Sequence, residues 1–99
     1  MAILTTENSG IVTITLDSRF VFSEHQAFQQ TYKNRPPKTR YIIDFKRVNY
    51  MDSSALGMLL VLKEHNGPEG KELLKIINCN PQIKKIFEIA NFAQLFTIE

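Results

Sequence analysis

Residues 49–60, NYMDSSALGMLL, set a carboxylate and two adjacent hydroxyls directly before an apolar run. Such a run reads as a helix, which places Asp52, Ser53 and Ser54 at its start, where the first backbone N–H groups have no intrahelical partner. Three chemistries fit that position. Asp52 or Ser53 can accept from those N–H groups as a cap contributing about 1 kcal/mol, the reading that spacing alone favours. A serine there can instead be a nucleophile. The G-x-S-x-G elbow is absent, however, and neither His25 nor His65 stands in a context that marks it as a base, so both histidines read as solvated helix residues. Third, a hydroxyl at a helix start can accept a phosphate, because the helix dipole and the free N–H groups favour an anion.

The elements that must position these residues follow from pattern. AILTT at residues 2–6 is a short β-prone run stopped by Asn8, Ser9 and Gly10, and IVTITL at residues 11–16 alternates strictly, so the two read as an antiparallel hairpin. Val12, Ile14 and Leu16 share one face of it. Ser23 is placed to cap a helix over about residues 24–32, with Ala27, Phe28 and Tyr32 on one face, ended by Pro36 and Pro37. RYIIDF is a short, continuously apolar strand, expected at the centre of a sheet and buried on both faces.

The helix after Asp52 should start at Ser53 or Ser54 and run to about His65, with Leu56, Leu59, Leu60 and Leu62 or Lys63 at the helical period. Met51, Met58 and the leucines read as core. ELLKII is the next strand. Asn80 then caps a helix with Pro81 at its first position and Ile83, Ile86, Phe87 and Ala90 as its apolar stripe, leaving Lys84 and Lys85 solvated. QLFTIE closes the chain as an edge strand. Strands alternating with helices after a hairpin predict one α/β domain over residues 1–99, its mixed and mostly parallel sheet packed against helices.

Composition narrows the functions. The chain has 99 residues, 43% hydrophobic and 22% charged, which suits one globular domain able to bury a core without disulfides. Net charge is +2, and KNRPPKTR, the one local basic concentration, has no interleaved aromatics to stack bases, which argues against nucleic acid. The single cysteine, Cys79, forms no internal disulfide and reads as a small hydrophobe between a strand and a helix. With no His or Cys cluster, neither a metal nor a cofactor is expected. No leader pattern and no apolar run of about 20 residues is present, so the expectation is a soluble cytoplasmic protein.

YIIDFKRVNYMDSSALGMLL, together with IINCNPQIKKIFEIANFAQLFTI, resembles the STAS domains of bacterial anti-sigma factor antagonists over nearly the whole chain. The resemblance implies a single STAS domain acting as a monomeric, non-enzymatic partner-switching regulator. Ser53 falls on the family's phospho-acceptor, and Asp52, Ser54, Leu56 and Gly57 fall on the supporting motif. It further implies that the unmodified form binds an anti-sigma factor or a serine kinase, that phosphorylation releases it, and that a metal-dependent serine phosphatase, in some systems a response regulator, restores binding. Ala55 stands where many members have glycine. Val21, within DSRFVFSEH, stands where an acidic residue used in kinase contact is expected. The contrasting expectations are a non-switching scaffold whose serines only cap a helix and, more remotely, a small serine hydrolase.

Overall fold

The computed structural model describes residues 3–68 and 71–99. In chain order its elements are β1 (Leu4–Asn8), β2 (Ile11–Thr15), β3 (Arg19–Phe20), α1 (His25–Gln30), β4 (Arg40–Asp44), β5 (Tyr50–Met51), α2 (Ser54–Asn66), β6 (Leu74–Ile77), α3 (Pro81–Ile89) and β7 (Thr97–Ile98). Short 3-10 turns lie at Phe22–Glu24, Lys71–Leu73 and Phe92–Gln94.

The expected hairpin forms: β1 and β2 pair antiparallel, and the two loop residues Ser9 and Gly10 have φ of 55° and 79°. Two positive φ values in a two-residue loop give the turn whose twist matches the paired strands, and glycine adopts it without a Cβ penalty. β4, β6 and β7 then add in parallel, in the order β1-β2-β4-β6-β7. β4 is central and β7 is an edge, as the patterns predict.

Every second residue of β2, β4 and β6 enters one core. Val12, Ile14 and Leu16 meet Tyr41, Ile43 and Phe45 from β4 and its end, with Leu74 and Ile76 from β6. Helical residues cover this face: Phe28, Ala55, Leu59, Leu62, Ile83 and Phe87 are all buried in the same cluster. The opposite face is only half covered, since Ile11, Thr13 and Ile42 are half-buried. RYIIDF is therefore central without being buried on both faces. Its continuous apolar run comes from adding a half-exposed Ile42 to the inward alternation of Tyr41 and Ile43.

Other expectations shift for physical reasons. The helix predicted over residues 24–32 shortens to His25–Gln30, and Ser23 does not cap it; Ser23 lies inside the preceding 3-10 turn, which Glu24 N–H closes on the Val21 carbonyl at 2.8 Å. Phe28 and Tyr32 are buried, but Ala27 is exposed. The buried stripe of α2 is Ala55, Met58, Leu59, Leu62 and Asn66, leaving Leu60 exposed and Leu56 half-buried. In α3, Ile83 and Phe87 enter the core while Ile86 and Ala90 face outward, so the inward face of that helix is narrower than its apolar pattern. ELLKII pairs only from Leu74, because its first residues form a 3-10 turn.

Two short strands escaped the pattern reading. β3 and β5 pair in parallel, Arg19 with Tyr50 and Phe20 with Met51, as a separate two-stranded sheet. With two residues each, they are too short to show a period. This ladder carries the chain segments after Phe20 and after Met51 out side by side, which brings the Phe22 N–H up to the Asp52 carboxylate.

Candidate functional site

The start of α2 is organised by Asp52. Its Oδ1 accepts from the Ser54 backbone N–H at 3.1 Å and from the Ser54 hydroxyl at 2.5 Å, and its Oδ2 accepts from the Phe22 N–H at 3.4 Å. The Asp52 carbonyl also accepts from Ala55 N–H at 3.1 Å. One side chain thereby satisfies donors from the helix start and from the segment after β3. The Ser54 hydroxyl bond, supported by the N–H groups of Phe22, Ala55 and Ser54 and opposed by burial, holds the Asp52 carboxyl below its ordinary value.

Capping is thus the work of Asp52, with Ser54 as its partner. Ser53 already has helical backbone angles, φ −65° and ψ −22°, and its hydroxyl makes no cap bond. That hydroxyl is exposed at the surface, beside a carboxylate and at the amino end of a 13-residue helix. Capping and presentation of a free hydroxyl are divided between neighbours.

One turn along α2, Gly57 faces outward, and a Cβ built on it would meet nothing within 4 Å. Ser53, Gly57, Leu60, Val61 and Glu64 form an exposed stripe at spacings of three and four, in which Leu60 and Val61 keep 41% and 49% of their surface. Of the two other motif positions, Leu56 packs against the core from its half-buried site, so Asp52, Ser53, Ser54 and Gly57 come together at the surface and Leu56 supports from below.

A cleft of about 340 Å³ lies between this helix and α1. Ser54, Gly57, Met58 and Val61 line its α2 side; Phe22, His25, Phe28 and Tyr32 line the other. Phe22 is 65% exposed and its ring stacks on His25, with centroids 5.4 Å apart and planes 12° from parallel. The sequence does not single out Phe22, and it presents His25 only as a solvated helix residue. Phe20 and Phe22 stand two apart, which predicts the same side of a strand, yet only Phe20 is buried because the 3-10 turn begins at Phe22. The signal available was the short β run ending at Ser23, read against its own alternation.

The two histidines differ: His25 is solvated as expected, whereas His65 is not. His65 is half-buried, packs on the Tyr32 ring at 5.2 Å and bonds through Nε2 to the Arg35 carbonyl region at 3.0 Å. His25 is exposed in its stack with Phe22. Among the described residues neither imidazole hydrogen-bonds a hydroxyl of Ser53 or Ser54; the Ser54 hydroxyl is given to Asp52.

Asp44, at the end of β4, is a structural carboxylate: buried, its Oδ1 accepts from Lys46 N–H at 2.9 Å and from Asn78 Nδ2 at 3.0 Å. Asn80 caps α3 as expected. Cys79 packs against the core half-buried, and that burial, weakly opposed by Lys84, pushes its thiol up to about 11. At that value it is a poor nucleophile at neutral pH. Among the described residues no three His, Cys, Asp or Glu side chains are grouped to hold a metal, and no helix is long and apolar enough to cross a membrane.

The arrangement matches known proteins over its full length. Residues 3–97 match the family model described as Mlab, STAS domain, and the chain belongs to the STAS domain family. It is 43% identical over 88 residues to a STAS-domain containing protein of Pseudomonas aeruginosa (strain UCBPP-PA14), covering 88% of this chain and 86% of that one. Its fold is shared with an anti-sigma-factor antagonist (STAS) domain protein from Planctomyces limnophilus, at a TM-score of 0.82, 15% identity and coverage of 100% and 90%. The phosphorylated form of the Bacillus cell fate determinant SpoIIAA is a further fold match, with a TM-score of 0.64, 17% identity and coverage of 99% and 91%. The single α/β domain expected from the strand and helix order is this fold.

Proposed function

We propose that the protein is a cytoplasmic partner-switching regulator, an anti-sigma factor antagonist or close functional equivalent, in which Ser53 is the phospho-acceptor. The observation that carries the reading is the division of labour at the start of α2: Asp52 and Ser54 complete the helix start between them, so the exposed Ser53 hydroxyl is not needed for it. A partner kinase would transfer a phosphoryl group to Ser53 Oγ, the new P–O bond replacing the one to the nucleotide diphosphate and the hydroxyl proton leaving. A serine phosphatase would hydrolyse it. Catalysis and any metal belong to those partners.

The exposed stripe Ser53, Gly57, Leu60 and Val61 is the surface a partner would cover in the unmodified state. Phosphorylation adds about 1.5 to 2 negative charges next to the Asp52 carboxylate, and an interface built on a neutral hydroxyl then faces like-charge repulsion and the desolvation of a dianion. A loss of about 3 kcal/mol weakens binding about a hundredfold. Val21, between the end of β3 and Phe22, adds no carboxylate of its own, so a kinase would meet an apolar side chain where the resemblance leads one to expect an acidic one.

The test is intact mass and peptide mapping of the protein purified from its native cell, with and without a serine phosphatase. A phosphate-sized, phosphatase-sensitive shift on Ser53 is expected. Absence of any such shift, even after incubation with native lysate and ATP, would sink the reading and leave a non-switching interaction module. Once a partner is in hand, Ser53→Ala should bind it constitutively and Ser53→Asp at least tenfold more weakly.

A further inference from the structure

The Asp52 carboxylate is divided between two chain segments that meet only through tertiary structure. Oδ1 is committed to Ser54 and Oδ2 to the N–H of Phe22, 30 residues away in sequence. The Phe22 contact is the longer of these bonds at 3.4 Å, and it sits just past the last β3–β5 pair, Phe20 with Met51. Phe22 in turn carries the outermost ring of the α1–α2 cleft, stacked on His25.

We propose that Asp52 is a positioning residue that couples the modification state of Ser53 to the placement of the Phe22–His25 aromatic lip. This deepens the phospho-acceptor reading and rests on it for its trigger. A phosphate on Ser53 brings a near-dianion next to the Asp52 carboxylate and supplies acceptor oxygens that compete for the same helix-start N–H groups. Repulsion acts on the carboxylate as a whole. The bond with the poorest geometry is the first to open, because hydrogen bonds weaken as they lengthen beyond about 3.2 Å. That bond is the one to Phe22. Release of its N–H frees the start of the 3-10 turn, and the stacked pair moves relative to Gly57 and Val61. The phosphate would then reach a partner in two ways: by charge at Ser53 and by the altered shape of a cleft wall that does not touch it.

Asp52→Asn tests the clasp without phosphate. An amide has a single acceptor oxygen and presents N–H groups at the other position, so it can serve Ser54 or Phe22 but not both. The measurement is amide hydrogen exchange and His25 ring proton shifts by NMR on three samples: the unmodified protein, protein carrying genetically encoded phosphoserine at position 53, and Asp52→Asn. Exchange at Ile83, capped by Asn80 on the other helix, is the internal control.

Coupling predicts that phosphoserine and Asp52→Asn each speed Phe22 amide exchange at least tenfold and remove the ring-stacking shift of His25, with Ile83 unchanged. An unmoved Phe22 in the phosphoserine protein overturns the coupling, whatever Asp52→Asn does. A Ser53 phosphate mapped in the native cell together with an unmoved Phe22 leaves the phospho-acceptor reading standing and refutes the coupling alone. A Phe22 that moves, in a protein never phosphorylated at Ser53 in its cell, refutes the phospho-acceptor reading alone.

Discussion

Two helices of this domain begin just after a strand with polar residues at their start, and they use those residues differently. At α3, Asn80 has extended backbone angles, φ −70° and ψ 165°, and its Oδ1 accepts from Ile83 N–H at 2.8 Å, with Pro81 in the first helical position. There the side-chain oxygen at the boundary serves the helix, while Asn80 Nδ2 donates to the Val48 carbonyl at 3.5 Å. At α2 the capping carboxylate stands one residue earlier, and the residue at the boundary itself, Ser53, keeps its hydroxyl out of the local hydrogen bonds. A helix start that is complete without one of its hydroxyls can have that hydroxyl modified without losing the helix. The α3 start offers no such group.

Four measurements test this contrast. Asp52→Ala should have the largest effect on stability, because it strips a charged acceptor from three donors at once. It is read as a fall in Tm greater than that of Asn80→Ala, in thermal melts followed by circular dichroism. Asn80→Ala should cost about 1 kcal/mol, the ordinary value of one cap, read in urea as a lower midpoint at unchanged slope. A cost equal to that of Asp52→Ala would erase the distinction drawn between the two helix starts.

Acid should then separate the two helices. The folded Asp52 pKa lies below the ordinary carboxylate value of 3.8, so its contribution is present above that value and is lost as pH falls below it through the folded pKa. Asn80 does not titrate. Amide protection at Ser54 should therefore fall with acid before protection at Ile83 does, as followed by hydrogen exchange. Ser53→Ala should have the smallest effect, within about 0.5 kcal/mol in chemical unfolding, since no hydrogen bond of the helix start depends on its hydroxyl. A loss approaching that of Asn80→Ala would return Ser53 to a capping role.

Much of the fold was legible because its long elements carry their own signals. Strict alternation over residues 11–16 marked the hairpin, the run RYIIDF marked the central strand, and Asn80 with Pro81 marked the start of α3. What failed did so where tertiary placement overrides local pattern. Leu60, Ile86 and Ala90 are apolar and suitably spaced but face outward, because the sheet covers a narrower arc of each helix than the apolar residues span. β3 and β5 were invisible because two-residue strands have no periodicity to read.

The site divided along the same line. The DSS motif located Asp52, Ser53 and Ser54, and spacing restricted the cap to Asp52 or Ser53 without choosing between them. The choice depends on backbone angles at Ser53 and on a bond from Phe22 that crosses 30 residues of chain. Phe22 and His25 entered the site only through the β3–β5 ladder, a contact that no local stretch of sequence encodes.

The bare surface at Gly57 sets two demands on α2 against each other. A glycine in a helix interior costs about 1 kcal/mol relative to alanine, and here nothing stands within 4 Å to forbid the extra methyl. By the helix's own thermodynamics alanine is the better residue. Glycine leaves a shallow notch one turn from Ser53, where another protein's backbone can approach closely, so at this position resistance to unfolding and intimacy of contact pull in opposite directions. Engineering for thermal robustness would select the methyl and, in doing so, fill the notch.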